Sequence, residues 1–103
     1  MKIITLCGSY RFKKEMAEIA ERLTLGGNCV LAPIDLVREK EAYTKEERDI
    51  LAAMHREKIK LAEAVFVVNM DGYIGESTKG EIEFAEMLGK EIIYYTDQNR
   101  IGY

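Results

Sequence analysis

The sequence predicts an α/β fold: a small doubly wound parallel sheet of the flavodoxin-like kind, strand order 2-1-3-4, with helices on both faces. Two observations carry this reading. Apolar runs of strand length alternate with amphipathic helical stretches along the whole chain, and such alternation implies right-handed crossovers and a parallel sheet. The third run, Ala64 to Asn69, is apolar up to its last residue, as a strand covered on both faces should be. At 103 residues the chain has room for one domain, residues 1–103, and not for two ordinary cores.

Each element has a local cause. Ile3 to Cys7 is a short apolar run that stops at Gly8-Ser9, which reads as the first strand. Phe12, Met16, Ile19, Ala20 and Leu23 then recur at helical spacing, with lysines and glutamates between them. Gly26-Gly27 ends that helix, because glycine takes the left-handed cap cheaply. Asn28 to Ala32 is the second strand, closed by Pro33, the one proline. A polar stretch from Asp35 to Tyr43 follows. Thr44-Lys45-Glu46-Glu47 is a capping box and opens a long helix to about Glu63. Its buried stripe is expected to hold Leu51, Ala52, His55, Ile59 and Ala62. After the third strand, a glycine-bearing loop from Met70 to Gly75 leads into a helix from Ser77-Thr78 to about Leu88, capped by Gly89. Glu91 to Tyr95 is the fourth strand, and Thr96 to Tyr103 is weakly specified.

Composition bounds the function. Hydrophobic residues at 48% and charged residues at 32% exclude a disordered chain. A net charge of −3 argues against a nucleic-acid polymer as partner. No apolar run has the length of a membrane span, and the N-terminus lacks a cleavage pattern, so a cytoplasmic protein without a membrane partner is expected. Cys7 and Cys29 are too few for a disulfide scaffold and, lying in strands, read as buried thiols. One histidine and two distant cysteines make a poor zinc spacing; no metal and no cofactor are expected.

In doubly wound sheets ligands sit at the carboxyl ends of the strands where the winding reverses. That point falls between strands 1 and 3, so the two loops that follow them are the place for chemistry. In the first, Gly8, Ser9, Tyr10 and Arg11 suit a phosphate: glycine lets backbone N–H groups approach an anion, and arginine grips phosphate through two donors. The same residues also read as a plain helix cap. The second loop contributes Asn69, Asp71, Gly72, Gly75, Ser77 and Thr78. Glu81, Phe84, Ala85 and Leu88 share one face of the helix that follows, which puts a carboxylate at the edge of a buried stripe. Such a carboxylate is either paired or functional, although Thr78-Lys79-Gly80-Glu81 also reads as a capping box. His55 is either a satisfied core histidine or an acid/base group. Tyr10 and Tyr73 could stack on a base or cover the core. There is no Walker loop and no dinucleotide fingerprint.

Leu6-Cys7-Gly8-Ser9-Tyr10-Arg11, and Ser77-Thr78-Lys79-Gly80-Glu81-Ile82-Glu83-Phe84-Ala85 followed by Gly89-Lys90, together resemble the nucleoside 2-deoxyribosyltransferase-like family, which includes the 2′-deoxynucleoside 5′-monophosphate N-glycosidases. The resemblance implies that Glu81 is the nucleophile and that Ser9 and Arg11 hold a 5′-phosphate. It implies a nucleoside or nucleotide as small-molecule partner, and a homodimer or higher homo-oligomer. The chemistry would be retaining glycosyl transfer to water or to a second base. Three positions depart from the family pattern. Thr5 stands for a tyrosine, His55 for an aspartate late in the second helix, and Gly75 for Asp or Ser. His55 is then a proton donor or a sugar contact. The departures motivate an alternative, a non-catalytic nucleotide-binding or sensor protein on the same fold. Gly-Ser-Tyr-Arg after a first strand also looks like the phosphate loop of FMN-dependent reductases, which makes a small FMN-binding flavodoxin-like protein a further alternative.

Overall fold

The computed structural model describes residues 1–98. Four strands form one parallel sheet in the order β2-β1-β3-β4. These are β1 (Ile3–Cys7), β2 (Cys29–Leu31), β3 (Ala64–Val67) and β4 (Glu91–Tyr94). The crossovers are α1 (Lys13–Leu25), α2 (Lys45–Leu61) and α3 (Glu76–Met87), and a short α4 (Tyr95–Gln98) follows β4. The central pair is in register from Ile4 beside Ala64 to Cys7 beside Val67. The expected strand order is therefore the one found.

Alternation along β1 and β3 divides the core in two. Ile4, Leu6, Ala64, Phe66 and Val68 face α1 and meet its Met16, Ile19 and Leu23. Cys7 and Val65 face the other way and meet Ile59 of α2 and Ala85 of α3. Both faces of the sheet are covered, which is why β3 is apolar on every pleat. Gly27 (φ 95°) and Gly89 (φ 74°) take left-handed backbone after α1 and α3, a conformation that costs any other residue strain.

α2 begins as its sequence predicts. Thr44 Oγ1 accepts from the Glu47 N–H at 3.1 Å, and Glu47 Oε1 accepts from the Thr44 N–H at 3.0 Å. The Arg38 guanidinium also holds Glu47, at 3.0 Å.

Several expectations need correction. The predicted capping box at Thr78–Glu81 does not form. α3 starts at Glu76, with Gly75 in the cap position and no side-chain cap, so Glu81 lies in the second turn rather than the first. Cys29 is exposed, not buried, because β2 is a short edge strand. Ala52 is exposed and Leu51 only half-buried; both lie on the stripe of α2 that overhangs a cavity instead of the sheet. α2 and β4 end at Leu61 and Tyr94, slightly sooner than predicted. Short 3₁₀ turns occupy Tyr10–Phe12, Lys40–Ala42 and Met70–Gly72. The end of the tail, 99–103, lies outside the described residues. Among the described residues no helix is long and apolar enough to cross a membrane.

The capping box gives a direct check. Thr44→Ala removes one reciprocal hydrogen bond at the start of α2 and should destabilise the fold by about 1 kcal/mol in urea denaturation. An unchanged midpoint would mean that the Arg38–Glu47 pair alone holds this end.

Candidate active site

A cavity of about 640 Å³ opens at the carboxyl end of the sheet, a size that suits a small-molecule ligand. Gly8, Ser9 and Tyr10 after β1 form one side, and Gly75 to Thr78 with Glu81 of α3 form another. α2 supplies Arg48, Leu51, Ala52, Met54, His55 and Lys58, and the chain after β2 adds Pro33, Ile34 and Leu36. The two loops singled out by the sequence do therefore converge, as strand ends at a winding reversal should.

The floor of the cavity is polar and crowded. His55, on α2, is 7% exposed. Its Nε2 lies 3.6 Å from Glu81 Oε1 and 3.6 Å from Cys7 Sγ. The sulfur contact is a long thiol–imidazole hydrogen bond; the carboxylate contact is too long for one, yet close enough for charge on one group to act on the other. His55 Nδ1 is buried without a hydrogen-bond partner. Burial is the main cause of the titration pattern. It pushes the Glu81 carboxyl up to about 7, against the smaller lowering effects of Cys7 and of the Arg56 charge. It pushes His55 down to about 4, helped by Lys58. The Cys7 thiol is raised well above its ordinary range, again by burial first and by Glu81 second. Near neutral pH the floor thus holds a neutral imidazole, a protonated thiol and a carboxyl that is about half ionised.

Local packing explains how these groups are held. Thr5, fully buried, donates its hydroxyl to the Lys58 carbonyl at 2.8 Å. This ties the last turns of α2 to the central strand. Lys58 Nζ donates to the Ala32 carbonyl at 2.7 Å, fixing the same helix to the end of β2. Gly8 sits tight on β3: a Cβ there would come within 3.2 Å of both Val68 Cβ and the Val68 carbonyl.

Of the residues expected at the site, Glu81, His55, Gly8, Ser9, Tyr10, Gly75, Ser77 and Thr78 line the cavity. The remaining four do not. Arg11 lies outside, its guanidinium 4.0 Å above the ring of Tyr73, and it is Tyr73 that reaches the wall. Ser9 Oγ accepts from the Arg11 N–H at 3.3 Å, capping the 3₁₀ turn, so the cap reading of this loop is realised. Asn69 is buried and turned toward the end of the sheet, where its amide exchanges hydrogen bonds of 3.1 and 3.2 Å with Thr96. Asp71 and Gly72 are exposed in a turn with φ of 54° and 78°; they shape the loop without facing the cavity.

Tyr43, Lys40, Arg48 and Lys58, which line the cavity, are absent from the sequence reading, and Cys7, buried behind His55 and Glu81, is read there as a buried thiol and not as a site residue. Arg48, Leu51, Ala52, His55 and Lys58 do fall on one helical face, so the stripe that marks His55 also marks Arg48 and Lys58. Cys7 alternates with Leu6 onto the α2 face of β1, a period-2 signal. Tyr43 comes from the polar stretch before α2, and no local pattern marks it.

No family model matches the chain, and no curated protein sequence matches it. Among solved structures it is similar to a 2-desoxiribosyltransferase from Leishmania mexicana, with a TM-score of 0.68 and 16% identity. The match covers 92% of this chain and 64% of that one. At this identity the likeness shows a shared fold, the α/β arrangement described above.

Glu81 makes a sharp stability prediction. Its folded pKa of about 7 lies above the ordinary 4.5, so the fold disfavours the ionised form. The penalty is absent below about pH 4.5, grows as the pH rises, and is complete above pH 7. Glu81→Gln should therefore stabilise the fold, by up to about 3 kcal/mol at pH 8 and by little at pH 4, as read by urea denaturation at each pH. A gain that does not grow with pH would show that Glu81 is not burdened by its burial.

Proposed function

We propose that the chain is an N-glycosidase or deoxyribosyltransferase that cleaves the N-glycosidic bond of a nucleoside or nucleoside 5′-monophosphate, with Glu81 as nucleophile. The observation that carries this reading is a largely buried carboxylate on the cavity floor, its side chain 20% exposed, beside an imidazole kept neutral. The shared fold and the Glu81 motif are consistent with it.

The walls suit such a substrate. Met16, Pro33, Leu36 and Leu51 are apolar, and Tyr10, Tyr43 and Tyr73 offer aromatic surface on which a flat base can lie. Lys40, Arg48 and Lys58 add positive charge, which favours an anionic group such as a phosphate. In the reaction a Glu81 oxygen attacks the anomeric carbon while the C–N bond breaks and the base takes the bonding pair. Water, or a second base, then attacks the same carbon and frees the carboxylate. A proton for the leaving base can come from water at the open mouth of the cavity. His55 fits a positioning role better than that of proton donor, because a neutral imidazole is a poor acid. Ile34 and Met54 stay 60% and 53% exposed at the cavity, which is consistent with a second copy of the chain covering it.

The second reading, nucleotide binding without turnover, draws on His55 standing where the resemblance implies an aspartate. One assay separates the two. The protein is incubated with ribo- and deoxyribonucleosides and their 5′-monophosphates, and free base is followed by chromatography. Wild type should release base, and Glu81→Ala should lower the rate about a thousandfold or more. Equal rates in both proteins would remove Glu81 from the chemistry. Thermal-shift binding without any base release would favour the second reading.

The pH profile tests the two roles together. kcat/KM should rise with pH through an apparent value near 7 as Glu81 ionises. His55→Phe should move that midpoint upward, since an apolar ring in its place deepens the burial that already raises it. An unmoved midpoint would leave His55 a merely structural residue.

A further inference from the structure

We propose that Cys7, His55 and Glu81 form a binding site for a thiophilic divalent cation, zinc above all, at the floor of the cavity. One ligand atom from each residue lies within 4.8 Å of the other two. His55 Nε2 stands 3.6 Å from both Cys7 Sγ and Glu81 Oε1. The Nε2–Oε1 separation is too long for a hydrogen bond and the Nε2–Sγ separation is that of a weak thiol hydrogen bond; both also suit groups arranged around an ion. Zinc–nitrogen and zinc–oxygen bonds of about 2.0–2.2 Å, with a zinc–sulfur bond of about 2.3 Å, place tetrahedral ligand atoms roughly 3.3–3.6 Å apart.

The donor chemistry agrees with the spacing. Thiolate, imidazole and carboxylate are the three ligand types that zinc takes, and the sulfur disfavours magnesium and calcium. His55 is already neutral, as a ligand must be. Binding sends the Cys7 thiol proton to solvent, together with any proton on Glu81. Thiolate and carboxylate then cancel the two charges of the ion, so the loaded site carries no net charge where burial would penalise one. His55 and Glu81 line the cavity, which provides the route of entry. With Cys7 behind them, the fourth position opens toward the cavity and takes water, as in three-ligand zinc sites. His55 Nδ1 has no partner to orient the ring, and the charges of Lys58 and Arg56 act on the site. Affinity should therefore fall below that of a four-ligand structural site.

The ion requires no catalytic activity from the chain. If Glu81 is also the nucleophile proposed above, ion and sugar compete for one carboxylate, and zinc inhibits.

Cobalt(II) serves as the spectroscopic probe. The chelator-treated protein, kept reduced, is titrated with cobalt and then with zinc. The expected result is one equivalent bound, with a thiolate-to-cobalt charge-transfer band and tetrahedral visible bands that zinc abolishes. Cys7→Ser should remove the charge-transfer band, and Cys29→Ser should leave it unchanged. Glu81→Gln, which is expected to fold at least as well as wild type, should weaken binding about tenfold or more. The proposal is overturned if wild type shows no charge-transfer band, or if the band follows Cys29 instead of Cys7. It is also overturned if Glu81→Gln binds cobalt as tightly as wild type. The spectra are read without substrate, so failure of base release leaves this result untouched, and loss of the band leaves the glycosidase reading standing.

Discussion

β1 and β3 run side by side from Ile4 and Ala64 to Cys7 and Val67, and the geometry of the cavity is measured from the end of that pairing. Because the strands are parallel, both chains leave the sheet at the same level and on the same edge. The winding reverses between them: the chain after β1 enters α1 on one face, and the chain after β3 enters α3 on the other. The gap that opens there has no strand above it to fill it. A ligand space follows from topology before any particular side chain is chosen.

Side chains then make the space chemical, at a cost in stability. α2 and α3 lie on the same face of the sheet and bring His55 and Glu81 together over Cys7. The Thr5 hydroxyl and the Lys58 ammonium both fasten α2 by its backbone or to backbone, so the helix cannot slide to relieve the crowding. Glu81 keeps its buried place against desolvation, with the Cys7 hydrogen bond first and the Arg56 charge second as partial compensation. A protein selected for stability alone would place an amide or an alkyl chain there.

Much of the fold is legible in the sequence because its signals are local. The short apolar run Ile3–Cys7, the Thr44–Glu47 box and the glycines after α1 and α3 each act within a few residues. The apolar run Ala64–Val68 reports burial on both faces without reference to any partner. The errors share one cause. Thr78 and Glu81 have the spacing of a capping box, but the chain had already entered the helix at Glu76, and spacing cannot reveal where the preceding loop lands. Cys29 has a strand neighbourhood but sits at an edge, which only the assembled sheet defines. At the site, His55 and Glu81 are legible as polar residues on apolar stripes. Their approach to Cys7 is non-local, across 48 residues of chain in one case. Arg11 has the chemistry of a phosphate grip, but its guanidinium lies over the ring of Tyr73 and outside the cavity lining.

The two cysteines differ in a way that turns the molecule into its own gauge of motion. Cys29 is exposed beside Ile3 at the amino end of the sheet, whereas Cys7 is fully buried at the carboxyl end. A thiol reagent in solution meets Cys29 at every collision. It meets Cys7 only during those moments when the end of β1 separates from α2 and α3. The ratio of the two labelling rates therefore measures the free energy of that local opening, with one thiol as the clock and the other as the event. Any molecule that seats in the cavity and bridges the two helices must slow the event and leave the clock running.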